Sequence, residues 1–186
     1  MRIISGIFKG KKLLLPNDKN TRPLKDLVKE SIFNLIQHSH KININIKNSI
    51  ILDLFSGTGS FGIECLSREA KKVIFLEKYS EALKVLEKNL KLLKNVHNYE
   101  IIKNDCFSFF NSKENIISKF DIIFIDPPYK ELKINKIIEE IIEKKILNKN
   151  GILIIHRHKK DTVNLTEKIN VIEQRYYGIS KIYFCN

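Results

Sequence analysis

The stretch from Ile50 to Gly62 reads IILDLFSGTGSFG, and it leaves the chain few folds to choose from. Ile50 to Leu54 is a short apolar run, the pattern of a strand buried on both faces. The run breaks into a turn at Gly57 and Gly59. A helix should follow over Phe61 to Leu66, with Ser60 placed to cap it. Strand, tight glycine turn and helix form the opening unit of a doubly wound α/β sheet, in which ligands meet the chain at that turn. Glycine is needed there because a Cβ would keep the backbone away from the ligand.

Gly57, Gly59 and Gly62 have GxGxxG spacing, and Glu77 lies 20 residues beyond Gly57. This pattern fits a dinucleotide site. Asp53 points elsewhere. It ends the strand four residues before Gly57 and is aimed at the same turn. A pyrophosphate would be repelled by it, whereas S-adenosylmethionine carries a sulfonium and an ammonium but no phosphate, and an acid favours it. The turn fits either cofactor, and Asp53 favours the methyl donor.

The rest of the chain repeats the alternation. Further strands are expected at 72–77, 99–103, 120–125 and 151–155, with helices over 80–93, a short Phe-rich segment at 107–110, and 134–146. Val171 to Tyr177 and Ile179 to Phe184 turn at Gly178 and should close the sheet as an antiparallel hairpin. Strand–helix alternation predicts parallel strands with right-handed crossovers. Ahead of this core, Thr21 and Pro23 suit the start of a helix whose stripe of Leu24, Leu27, Val28, Ile32, Leu35 and Ile36 is core; Lys25, Asp26, Lys29 and Glu30 belong on its other faces. One domain over 1–186 is expected, with an N-terminal hairpin arm at 1–20, a lead-in helix and linker at 21–48, and a core at 49–186; 186 residues suffice for one full core.

The formal net charge is +12, which favours a polyanionic partner. Only five of the 33 basic residues are Arg, so a general lysine bias contributes and placement must decide. Arg2, Lys9, Lys11 and Lys12 fall together in the first 12 residues, as a substrate-binding arm for RNA phosphates would require. Arg22 lies at the edge of the lead-in helix, where it could also meet RNA. Cys65, Cys106 and Cys185 lack the spacing of a disulfide framework or zinc site, and Cys65 and Cys106 are expected in the core. No apolar run reaches a membrane span, and no leader is visible at the N-terminus, so a cytoplasmic protein is expected.

Four acids end four successive strands: Asp53, Glu77, Asp105 and Asp126. Any one could be a polar residue at a loop, but the recurrence argues for a shared ligand beyond the carboxyl edge of the sheet. Glu77 suits the two hydroxyls of a ribose, and Asp105 the exocyclic amine of an adenine. Asp126, Pro127, Pro128 and Tyr129 are the sharpest signal. Two prolines stiffen the loop, so a carboxylate and a backbone carbonyl can hold both hydrogens of an exocyclic amino group while Tyr129 stacks the base. The nitrogen of such an amine is a poor nucleophile until its lone pair leaves conjugation with the ring.

DLFSGTG over 53–59 together with DPPY over 126–129 resembles the class I S-adenosylmethionine-dependent amino methyltransferases. RIISG at 2–6, KGKKL at 9–13, TRP at 21–23 and Phe33-Asn34 narrow the resemblance to the RsmD family, over nearly the whole chain. The resemblance implies a Rossmann-like, seven-stranded, mostly parallel sheet with an N-terminal β-hairpin. It implies methylation of the exocyclic N2 of a guanine in 16S ribosomal RNA of the assembled or assembling small subunit. A monomer is expected. The positions implied for S-adenosylmethionine are Asp53, Phe55, Ser56, Gly57, Thr58, Gly59, Glu77, Lys78, Asp105, Cys106 and Asp126. Those implied for the guanine are Asp126, Pro127, Pro128 and Tyr129. Leu27 stands where the family usually has Arg, Lys29 replaces another Arg, and His156-Arg157-His158 stands where an acid is frequent. His156 and His158 lack a third metal ligand and are expected as exposed strand-end residues. Competing readings are a DNA adenine-N6 methyltransferase, a dinucleotide-dependent oxidoreductase and a non-catalytic RNA-binding assembly factor.

Overall fold

The computed structural model describes residues 1–16, 24–111, 119–128, 131–161, 165 and 167–186. The apolar runs become strands β1 (Ile50–Leu54), β2 (Lys72–Glu77), β3 (Tyr99–Lys103), β4 (Phe120–Ile125), β5 (Leu147–His158), β6 (Val171–Tyr177) and β7 (Ser180–Cys185). The helices are α1 (Asp26–His38), α2 (Ser60–Ser67), α3 (Ser80–Lys91), α4 (Cys106–Asn111) and α5 (Ile134–Glu143). The seven strands make one sheet in the order β3-β2-β1-β4-β5-β7-β6. β3 through β5 run parallel in that order, and the β6–β7 hairpin is antiparallel, as its sequence predicts.

Side chains alternate across a strand, so the buried runs feed two cores at once. Ile51, Val73, Phe75, Ile122, Phe124 and Ile154 meet α1, α2 and α3 on one face. Leu52, Leu54, Leu76, Ile123, Ile125 and Ile155 meet α4 and α5 on the other. Each fully buried side chain of this size contributes about 1.5–3 kcal/mol. Gly62 lets α2 lie close to β2, since a Cβ there would sit 2.3 Å from Cε1 of Phe75. All three cysteines are buried. Among the described residues, no helix is long and apolar enough to cross a membrane.

Several boundaries move. β5 begins at Leu147, not Gly151, because residues 147–150 extend the strand ahead of the apolar run. The helix before it ends correspondingly early, at Glu143. Helix α1 starts at Asp26 with an extended Lys25 ahead of it, so it is not capped by Thr21, which with Arg22 and Pro23 lies outside the described residues. The helical phase also differs from expectation: Leu27 is 67% exposed, while Lys29 is fully buried between Val28 and Ile32.

That buried lysine organises the N-terminus. Lys29 Nζ donates to the Arg2 carbonyl at 2.7 Å and to Ser60 Oγ at 3.3 Å. It forms ion pairs with Asp26 at 3.7 Å and with fully buried Glu64 at 3.9 Å. Burial lowers the Lys29 pKa, with Glu64 and Asp26 opposing. The Glu64 carboxylate in turn accepts the Ile4 and Ser5 amides at 2.7 and 2.9 Å, and Arg68 Nε at 3.0 Å. The hairpin is closed by an Arg2–Lys12 bridge. It lies flat on α2 because Gly6, at φ +83, has no Cβ to strike the Ser67 carbonyl. The arm is therefore fastened to the body rather than free.

Removing Glu64 would leave the Ile4 and Ser5 amides without their acceptor and Lys29 without its buried counter-charge. Glu64→Ala is expected to lower stability by about 3–5 kcal/mol, the cost of orphaning a buried charge. Urea unfolding measures this, and a loss below about 1 kcal/mol would show that the cluster does not hold the hairpin.

Candidate active site

The chain leaves β1 for β2 on one side, and β4 takes the other side of β1. In open sheets of this kind ligands bind beyond the carboxyl edge where strand order reverses, which here is between β1 and β4. Register sets what faces it. Leu54 pairs with Leu76 on one side and Ile125 on the other, and Ile125 with Ile155. The next residues, Phe55, Glu77, Asp126 and His156, therefore stand at one level along the edge.

Asp53 is buried, on the α2 side of β1, and its Oδ2 accepts the Gly62 amide at 3.0 Å. That amide is in the first turn of α2, so Asp53 is the helix's N-terminal acceptor. Ser60 is not the cap: it is already helical, and Gly59 precedes it at φ 83. Burial pushes the Asp53 carboxyl well above the usual carboxylate range. The Gly62 amide opposes this, and the charges of Asp126 and Glu77 push further upward. The three acids thus share one electrostatic neighbourhood.

All three glycine amides of the GxGxxG pattern are taken by the protein itself. Gly57 donates to Glu77 Oε2 at 2.7 Å, Gly59 to the Ser56 carbonyl at 2.8 Å and Gly62 to Asp53. Glu77 Oε1 also accepts the Lys78 and Tyr79 amides at 2.9 and 2.8 Å. Ser56 Oγ donates to the Asp53 carbonyl at 2.6 Å. Phe55 and Gly57 both hold positive φ, at 60° and 55°, which folds the backbone sharply back over the strand end. Thr58 Oγ1 is buried with no hydrogen-bond partner among the described residues.

Asp105 caps α4 through Oδ1, accepting the Phe107 amide at 2.9 Å, and its Oδ2 takes Lys78 Nζ at 2.7 Å. Chiefly through that lysine, its carboxyl is held below the ordinary value. Cys106 is packed in the core beside Phe109, and burial pushes its thiol up. At β4, Pro127 is buried, Pro128 is exposed, and Tyr129 lies outside the described residues.

The residue that sequence reasoning misplaced is His156. It is 6% exposed, not a surface strand end. Its Nδ1 lies 2.7 Å from Asp126 Oδ1 and its Nε2 2.9 Å from Ser180 Oγ. Arg157 is buried too; it pairs with Asp161 and donates from Nη2 to the Glu131 carbonyl at 2.9 Å. His158 is half-buried, and Lys160's amide donates to its Nδ1 at 3.1 Å. On the arm, Arg2, Lys9 and Lys12 are exposed, but Lys11 Nζ donates to the Leu92 carbonyl at 2.6 Å and lies over the Phe8 ring. Arg22 lies outside the described residues.

The family model described as Conserved hypothetical protein 95 matches residues 1–186. A Buchnera aphidicola protein named Ribosomal RNA small subunit methyltransferase D is 37% identical, over 87% of this chain and 80% of its own. One of the same name from Haemophilus influenzae is 34% identical, over 96% of this chain and 90% of its own. The solved structure of HI0767 from Haemophilus influenzae superposes with a TM-score of 0.77 at 31% identity, covering 99% of this chain and 96% of that one. The solved yhhF structure from Escherichia coli, at 24% identity, shares the fold with a TM-score of 0.83, covering 100% and 96%. With a family model matched over the whole chain and relatives at 34–37% identity covering most of both chains, the chain belongs to the RsmD family, that of the ribosomal RNA small subunit methyltransferases D.

Proposed function

We propose that this chain transfers a methyl group from S-adenosylmethionine to the exocyclic N2 of a guanine in 16S ribosomal RNA. It acts as a cytoplasmic monomer on the small subunit or its assembly intermediate. The observation that carries the cofactor reading is the consumption of the glycine amides. A dinucleotide site keeps such amides for a pyrophosphate. Here Glu77 and Asp53 take two of them, and the turn presents carboxylates where a phosphate would have to sit. Three acids in one neighbourhood suit a cationic ligand.

When bound, S-adenosylmethionine supplies an electrophilic methyl carbon on a sulfonium that leaves as a neutral thioether. The protein's part is placement. Glu77, tied down by three amides, offers its carboxylate to the ribose, and Asp105 faces the adenine side. Asp126 and the Pro127 carbonyl accept the two N–H groups of the guanine amine, which draws the nitrogen lone pair out of conjugation. Tyr129, by its place after the two prolines, supplies a stacking face. The nitrogen must lose one proton after the transfer, and the Asp126 carboxylate and water are the acceptors within reach. Holding the amine in line supplies much of the acceleration. The guanine has to be unpaired or extruded to enter. Arg2, Lys9 and Lys12 face outward from the fastened hairpin and meet RNA phosphates; Lys11 instead secures the arm to the end of α3.

Tritiated methyl transfer to unmethylated small subunits, naked ribosomal RNA and DNA, followed by nucleoside digestion, tests the reaction. Label in N2-methylguanosine from small-subunit RNA is expected, and label in N6-methyladenosine from DNA would contradict it. Asp126→Ala is expected to lower turnover about 10²-fold or more, with cofactor affinity by calorimetry nearly unchanged. An equal loss in both would remove Asp126 from the amine. Glu77→Ala is expected to weaken cofactor binding by about 1.5–3 kcal/mol, the worth of a hydrogen bond to a charged group. An unchanged Kd would remove Glu77 from the cofactor site.

A further inference from the structure

We propose that His156 is a positioning residue for Asp126, an inference that rests on the methyl-transfer reading of this site. The register Ile125–Ile155 brings Asp126 and His156 to the same level on adjacent strands. Both side chains leave the sheet on the face that carries Asp53, since Ile122, Phe124, Ile152 and Ile154 line that core. The His156 ring is nearly out of water and both of its nitrogens are engaged.

The direction of these bonds follows from the inventory of donors. A carboxylate only accepts, so Nδ1 carries the hydrogen and donates to Asp126 Oδ1. In the neutral ring Nε2 then bears the lone pair, and the Ser180 hydroxyl donates to it. Ser180, His156 and Asp126 form a chain of donations in one sense, each reinforcing the next. The result is a carboxylate with one oxygen fixed inside the protein and the other left for the amine. Ser180 begins β7, directly beyond the turn at Gly178, so the closing hairpin reaches the reaction centre through this ring. The neighbouring Arg157 holds the Glu131 carbonyl. One step of β5 therefore secures the described ends of the loop that begins at Asp126.

Three measurements test this. His156→Phe keeps a ring in place and removes both bonds; His156→Asn returns a donor near the Nδ1 position. With small-subunit RNA as substrate, His156→Phe is expected to lower kcat at least about tenfold while KM and the cofactor Kd stay within about threefold, because a misplaced acceptor acts on the reacting geometry. His156→Asn is expected to recover most of that kcat. A His156→Phe kcat within twofold of wild type, or a cofactor Kd that rises as many-fold as kcat falls, would overturn the proposal. Independently of activity, 15N spectra of the unliganded protein should show the His156 ring protonated at Nδ1, with that signal lost in Asp126→Ala. A ring protonated only at Nε2 would overturn the proposal even where His156→Phe fails to fold. Wild-type protein that transfers no methyl to ribosomal RNA would refute the proposed function instead, and the ring spectrum would still decide the placement of Asp126.

Discussion

A carboxylate almost wholly withdrawn from water stands at the end of β1, and the local architecture depends on how it is satisfied. Asp53 is tolerated there because the first turn of α2 points an unpaired amide, and the positive end of the helix dipole, at it. That contact fixes where the helix starts, and so the path of the turn from Phe55 to Gly59. Glu77 then seizes the turn from the neighbouring strand through the Gly57 amide. Two acids thus serve as struts before any ligand arrives. Because they are struts, the turn is acidic, and a pattern that elsewhere welcomes phosphate becomes suited to a cation.

A second buried charge governs the N-terminus. Lys29 and Glu64 are both fully buried, an arrangement stabilising only if nearly every remaining donor and acceptor is matched. The Arg2 carbonyl, the Ile4 and Ser5 amides and the Arg68 guanidinium provide the match. A hairpin of some dozen residues is marginal alone. Here it is welded to α1 and α2, and the orientation of its exposed cations is fixed relative to the carboxyl edge of the sheet.

Much of this was legible in the chain. The strands read at 72–77, 99–103 and 120–125 fall where the structure has β2, β3 and β4, and the buried centres of β2 and β4 are apolar because helices cover both of their faces. The acids at the strand ends were equally visible, since their placement follows from strand length. What stayed hidden depended on contacts between distant segments. Lys29 reads as a surface residue until the hairpin and Glu64 supply partners for its ammonium. Leu27, two residues earlier and on the opposite side of the helix, is left outside by the same phase. Ser60 looks like a cap, yet a carboxylate seven residues earlier does the capping. His156 sits in a run of polar residues that mimics a frayed strand end. Its burial requires β7 to fold back and bring Ser180 to Nε2, a pairing 24 residues away that no local pattern announces.

The central claim is that one crevice between β1 and β4 holds the methyl donor beside the guanine clamp. A crystal structure of the chain with S-adenosylhomocysteine tests it most directly. The account predicts the ribose hydroxyls on Glu77 and the thioether sulfur facing Asp126 across the glycine turn. A nucleoside bound elsewhere, or a sulfur separated from Asp126 by protein, would contradict it.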